Sequence, residues 1–183
     1  LWNAARFAEM NGCVRDPDFT PRDAKEVLNR WIAHETARAG SEVTAAIEAY
    51  KFNEAAAAIY RFVWNVYCDW YVELSKPLLT GPDGAAKDET RATAAWALDE
   101  ILKLLHPFMP FITEELWAVT AARGSLLVLA EWPRKASSIS VEQIATMAMV
   151  GPGEPVVAPV IAVFEESDFS DPAAEAEIGW VVD

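Results

Sequence analysis

The sequence predicts a mainly α protein: an antiparallel bundle of four or five helices carrying a small irregular or short-strand appendage. Three observations predict it. Apolar residues recur at helical spacing through residues 27–50, 53–74 and 85–105. Apart from Gly40, glycines and prolines fall between those stretches rather than inside them. Hydrophobic residues make up 52% of the 183 and charged residues 23%, a globular composition with enough length to bury a sizeable core.

Residues 1–11 read as a first helix, with Leu1, Ala4, Ala5 and Ala8 on one side and Asn11-Gly12 as its stop. Thr20-Pro21-Arg22-Asp23 supplies an N-cap Thr, a proline at the first helical position and an acid three residues after the cap. That predicts a second, long helix through Val27, Leu28, Trp31 and Ile32 toward Tyr50. Asn53 reads as the next cap. Ile59, Phe62, Val63, Val66, Tyr67 and Trp70 then form a broad apolar stripe, which continues to Leu74 before Pro77.

Gly81-Pro82-Asp83-Gly84 is a turn, and the helix after it places Ala94, Ala97, Leu98, Ile101, Leu102 and Leu105 on one face. The run His106-Pro107-Phe108-Met109-Pro110-Phe111 has to leave that helix, because Pro110 lacks a backbone donor and clashes with the preceding turn. Thr113 is expected to cap a short helix with Leu116 and Trp117 facing inward. Leu126 to Ala130 reads as a short strand, Ser140-Val141-Glu142-Gln143 as a capping box, and Val156 to Phe164 as a further strand. Most of Trp31, Trp64, Trp70, Trp96 and Trp117 are expected in the core.

The net charge is −13, from 28 acidic and 15 basic residues. Taken whole, it argues against a protein that grips phosphate backbones. The imbalance is local, however. Residues 1–135 hold all 15 basic residues against 19 acids, whereas residues 136–183 hold nine acids and no Lys or Arg. The expected organisation is therefore a helical bundle over 1–135 and an acidic appendage over 136–183.

Catalytic and metal motifs are missing from the pattern. His34 and His106 stand outside any metal-binding array, and there is no Gly-rich phosphate loop or nucleophile elbow. Glu114-Glu115 and Glu165-Glu166 are adjacent, so on a helix they do not share a face. No catalytic residue, metal site or cofactor site is expected in this chain. Cys13 and Cys68 read as reduced, buried thiols of a cytosolic protein, and no apolar run reaches membrane-spanning length. Leu1-Trp2-Asn3 has the character of the middle of a helix and Ile178 to Asp183 that of the start of another element, so the chain reads as a piece of a longer protein.

One segment has a different character. Tyr50-Lys51-Phe52-Asn53 falls between two helices and combines two rings, a cation and an amide. That mixture suits unstacked bases of single-stranded RNA: rings stack, the cation meets phosphate, the amide reads a base edge. The alternative is a hydrophobic staple around an Asn cap.

These residues also carry a resemblance. Leu1-Trp2-Asn3-Ala4-Ala5-Arg6-Phe7, Asn29-Arg30-Trp31-Ile32, Tyr50 to Ala56, Cys68 to Glu73, Lys76-Pro77, Leu105 to Trp117 and Trp132-Pro133 together resemble the valyl-tRNA synthetase family in order. Ala136 to about Glu165 departs from that pattern, and Ile178 to Asp183 resembles the helix leading to a C-terminal coiled-coil arm.

The resemblance implies a non-catalytic anticodon-binding bundle. Its contacts to the anticodon stem-loop would come from Arg30, Arg38, Tyr50, Lys51 and Phe52, and His106 to Phe111 would be structural. The implied partners are a valine-type tRNA and the rest of a parent synthetase, with no membrane. The parent would be cytoplasmic and would join valine to tRNA with ATP and Mg²⁺, none of which this chain would bind itself. The competing readings are the same domain of an isoleucyl or close relative, and a helical protein-interaction module docking through its acidic tail.

Overall fold

The computed structural model describes residues 1–133. The elements are α1 (Trp2–Met10), a 3₁₀ turn (Pro21–Asp23), α2 (Val27–Glu48), α3 (Phe52–Arg61), a wider π-type segment (Phe62–Val72), α4 (Glu73–Thr80), α5 (Ala85–Leu105), α6 (Pro110–Thr120) and a 3₁₀ turn (Leu127–Leu129). From Phe52 to Thr80 the helical backbone is unbroken. Five helical rods result, and no strand occurs among the described residues. The mainly helical bundle is as the apolar periodicity predicts.

Two pairings show the antiparallel arrangement. Arg61 of α3 reaches back to Glu42 of α2 at 2.7 Å. Tyr67 and Tyr71 of the π-type segment donate to the carbonyls of Ala94 and Thr90, so that segment runs against α5. Ile32, Val43, Ile59, Tyr67, Tyr71, Leu98, Ile101, Leu102, Leu104 and Leu116 are all but fully buried between the rods. The apolar face read from α5 is buried throughout.

Several local expectations give way to tertiary contacts. The long second helix does not start at Thr20, which opens only the 3₁₀ turn and makes no side-chain cap. It starts at Val27, and the two residues that lead into it are held from another element. Glu89 of α5 accepts from the backbone N–H of Lys25 and Glu26, both at 2.9 Å, and from Asn29 Nδ2 at 2.9 Å. Asn53 is not a cap either, since α3 begins at Phe52 without a side-chain cap. Thr113 lies inside α6, where its hydroxyl donates to the Met109 carbonyl and pairs with His106 Nδ1 at 2.8 Å.

Helix geometry explains two further corrections. The chain does not stop before Pro77, which is carried inside α4. The wider winding over Phe62–Val72 changes which side chains face inward. Tyr67 and Tyr71 are buried, while Trp64 and Trp70 are 54% and 48% exposed rather than in the core. Trp31 and Trp96 are half-buried, and Trp117 is buried. Leu126 to Ala130 forms a 3₁₀ turn instead of a strand, with Glu114 accepting from the Leu127 N–H at 2.7 Å. The expected capping box at Ser140 and strand over 156–164 lie outside the described residues.

Candidate nucleic-acid interface

The site is built on the connection between α2 and α3. Two helices of the bundle end in the same backbone motif, in which paired N–H groups turn back onto the last helical carbonyls. At the end of α1, Cys13 N–H bonds the Ala8 carbonyl and Gly12 N–H bonds that of Glu9, with Gly12 at φ 69°. At the end of α2, Lys51 N–H bonds the Ala46 carbonyl at 2.8 Å and Tyr50 N–H bonds that of Ile47 at 2.9 Å. Both are Schellman closures, which place one residue in the left-handed region.

Gly12 fills that position at no steric expense. Tyr50 fills it at φ 60°, where a residue with a side chain is strained by about 1–3 kcal/mol. Among the described residues Tyr50 is the one non-glycine residue with positive φ. The strain is not offset by burying the ring, which is 83% exposed. Phe52, two residues on and 55% exposed, meets it edge-on with ring centroids 6.5 Å apart and planes at 82°. The chain thus holds two aromatic faces in solvent at the tip of a helical hairpin.

Charge around the tip is balanced locally. Lys51 pairs with Glu54 at 3.1 Å with both side chains more than half exposed. Arg61 is held by Glu42, and Arg38 by Glu35 one turn earlier on α2. The five residues predicted as contacts therefore divide. Tyr50, Lys51 and Phe52 come together at the tip. Arg38 lies twelve residues from Tyr50 along α2, or ~18 Å, and Arg30 twenty residues, or ~30 Å. The structure does not bring Arg30 and Arg38 to the aromatic pair.

A second exposed aromatic group includes Trp64, which the sequence predicts in the core. Asn53, Ala57, Tyr60 and Trp64 follow at spacings of four, three and four, so they share one exposed face of α3 and the segment after it. Tyr60 and Trp64 lie with parallel ring planes, 4° apart in tilt, and centroids separated by 6.3 Å. The signal that finds Tyr60 is its place opposite the buried Ala55, Ala58 and Ile59.

Elsewhere the chemistry is structural. Among the described residues no group of three or more His, Cys, Asp and Glu side chains could hold a metal ion. No helix among them is long and apolar enough to cross a membrane. Cys13 is buried and burial pushes its thiol up to about 11, against the lowering effect of Arg91. Burial likewise raises the half-buried Cys68. His106 is tied to Thr113 and Glu114, which fits the structural reading of the 106–111 corner.

Comparison with known proteins identifies the family of the chain. The family described as "Anticodon-binding domain of tRNA ligase" matches residues 29–152. The chain is 66% identical to the valine–tRNA ligase of Bradyrhizobium diazoefficiens, 64% to that of Rhodopseudomonas palustris and 61% to that of Nitrobacter winogradskyi. Each comparison covers the whole of this chain but 19% of the relative. The chain belongs to the anticodon-binding domain family of tRNA ligases.

Proposed function

We propose that this chain binds the anticodon stem-loop of a valine-type tRNA, as a non-catalytic part of a longer synthetase. The observation that carries the proposal is the aromatic tip. Tyr50 is held in a strained conformation that exposes its ring beside that of Phe52. Exposed rings in a fixed orientation suit the splayed bases of an RNA loop, each stacked base contributing about 1–3 kcal/mol. Paired cations along α2 and α3 leave phosphate attraction as the weaker component of the contact.

Membership of the anticodon-binding family and the identity to proteins named valine–tRNA ligase support this reading. On it, the parent protein is cytoplasmic and attaches valine to tRNA using ATP and Mg²⁺, which bind outside this chain. Residues 1–135 are the RNA-binding bundle, and residues 136–183 an acidic appendage that takes no part in holding RNA.

The test is binding of a hairpin with a valine anticodon loop to residues 1–183, followed by fluorescence anisotropy. Phe52→Ala is expected to weaken binding by about tenfold, and deletion of 136–183 to leave it unchanged or tighter. Loss of the main interaction on that deletion, with Lys51→Ala and Phe52→Ala silent, would instead favour a protein-docking module. Equal affinity for valine and isoleucine anticodons would remove the valine assignment.

A further inference from the structure

Away from the aromatic tip, a cavity of about 80 Å³ lies where α1, α5 and the end of α6 come together. Its polar wall is made by Cys13 and Arg15 in the stretch after α1, Asp99 of α5, and Thr120 and Arg123 at and beyond the end of α6. Ala5 and Ala8 of α1 line it too, and their short side chains leave the space unfilled. One buried water needs about 10–15 Å³, so there is room for more than a single water.

One donor in this wall has no acceptor. Arg15 Nη1 is buried and has no hydrogen-bond partner among the described residues. Arg15 Nε lies 3.4 Å from Asp99 Oδ2, but Asp99 turns both its oxygens to Arg123, at 2.6 and 2.8 Å. Arg123 is engaged throughout: Nε donates to the Trp117 carbonyl at 3.0 Å, and Nη2 also reaches the Thr120 hydroxyl at 3.2 Å. That hydroxyl donates to the Leu116 carbonyl at 2.7 Å. The Cys13 thiol, pushed up to about 11 by burial, stays protonated near neutral pH and brings no negative charge. The inner wall therefore sets two guanidinium charges against one carboxylate.

We propose that this cavity binds one monovalent anion the size of chloride, held by the Arg15 guanidinium. The proposal is independent of the RNA-binding reading above. A buried donor of a charged group is costly to leave without an acceptor. A water satisfies the donor but leaves the excess positive charge, whereas an anion answers both. Asp99 in the same wall disfavours a doubly charged occupant such as sulfate or phosphate. Glu9 is the other acid lining the cavity, and it is exposed, so water screens its charge more than that of Asp99, whose side chain is 6% exposed. It weakens the attraction without cancelling it. Bound there, the anion ties the stretch after α1 to α5 and α6, through Arg15 and the Asp99–Arg123 pair beside it.

The experiment uses residues 1–183 and the chloride-35 resonance, which broadens when chloride exchanges on and off a protein. A broadening that saturates with chloride, and that bromide displaces, is expected. Arg15→Met keeps much of the apolar stem and removes the charge, and it should weaken the saturating component by about tenfold or more. Glu9→Gln, at an exposed position that does not threaten folding, should tighten it by about twofold to threefold. At fixed ionic strength, replacing fluoride with chloride should raise the thermal midpoint of the unaltered chain by about 2–5 °C and that of Arg15→Met not at all. Equal broadening in all three chains, with no midpoint difference between the two salts, overturns the proposal and leaves Arg15 Nη1 to water alone. If Arg15→Met does not fold, the other two readings decide: no tightening in Glu9→Gln and no rise in chloride overturn it equally.

Discussion

Tyr50 meets Phe52 edge-on at 6.5 Å from a backbone position, φ 60°, that α1 fills with Gly12 at φ 69°. The same closure is thus made once with the residue that favours it and once with a residue that does not. Tyr50→Gly relieves the strain and removes little buried surface, since the ring is 83% exposed. The expected gain is about 0.5–1 kcal/mol, after allowing for the greater freedom of glycine in the unfolded chain. Hairpin affinity is expected to fall by about fivefold or more. Urea unfolding and anisotropy on the same variant check both. If stability and binding fall together, the ring is a staple of the helical hairpin and not a stacking surface.

The cations near the tip sit against carboxylates: Lys51 with Glu54, and Arg61 with Glu42. These are exposed pairs, so they add little to stability. They do oppose an RNA strand, by occupying the cation and by adding negative potential. Glu54→Gln and Glu42→Gln should each tighten hairpin binding by about twofold to threefold at low salt, with the gain vanishing near 1 M salt. Lys51→Ala should reduce the slope of log affinity against log salt by about one if its ammonium meets a phosphate. Unchanged slopes would place the RNA backbone elsewhere.

Apolar periodicity made the bundle legible wherever the helix keeps its normal winding, and α5 is the clear case. Over Phe62–Val72 it holds for Phe62, Val63 and Tyr67, which are buried, and fails at Trp70, because the wider helix turns that ring outward and takes Tyr71 in. Local capping signals failed at Thr20, Asn53 and Thr113. The entry to α2 is held instead by Glu89, more than sixty residues away in sequence, and no local pattern records it. The tip was legible because Tyr50 to Asn53 carries two rings at a helix junction. Its left-handed backbone was not, because a tyrosine does not signal the closure that ends α2.

Cys13 offers a check on packing at the α1 end. Burial outweighs the pull of Arg91 and sets its thiol near 11. Thiolate, not thiol, reacts with disulfide reagents, so at about pH 8 Cys13 should react at least ~100-fold more slowly than a free cysteine. Adding urea through the unfolding transition should restore the ordinary rate. Rapid labelling of Cys13 in native buffer would mean that α1 opens readily from the bundle.

Asp99, with 6% of its side chain exposed, accepts two hydrogen bonds from Arg123 at 2.6 and 2.8 Å and lies 3.4 Å from Arg15. The Arg123 guanidinium also lies 3.6 Å from the centre of the Trp117 ring. Asp99→Asn keeps the shape but leaves two guanidinium groups facing a neutral amide. Breaking a buried pair in this way is expected to destabilise the bundle by about 3 kcal/mol. The Trp117 environment should report it in near-ultraviolet circular dichroism. A loss under about 1 kcal/mol would mean that solvent reaches the pair.

Glu89 links the start of α2 to α5, and its behaviour with pH has a definite sign. Burial tends to raise its carboxyl, but hydrogen bonds from Asn29 and from the N–H groups of Lys25 and Glu26, with the nearby Lys25 charge, hold it below its ordinary 4.5. A carboxyl lowered by folding stabilises the native state fully above its unfolded value and loses that contribution as pH falls through the folded one. Glu89→Gln retains one acceptor oxygen and turns its NH₂ toward a donor, either the Lys25 N–H or the Glu26 N–H together with Asn29. It is expected to cost about 1–3 kcal/mol near neutral pH. The gap between wild type and variant in urea titrations should hold from pH ~7 to ~5 and close as the acid range below ~4.5 is entered. Asn29→Ala should narrow the same gap, because it removes the first of the bonds that hold the carboxyl down, while the Tyr71 hydroxyl, 3.3 Å from Asn29, keeps the Thr90 carbonyl as its acceptor. A gap that stays constant to about pH 3 would show that the acceptor geometry of Glu89, and not its charge, holds the end of α2 in place.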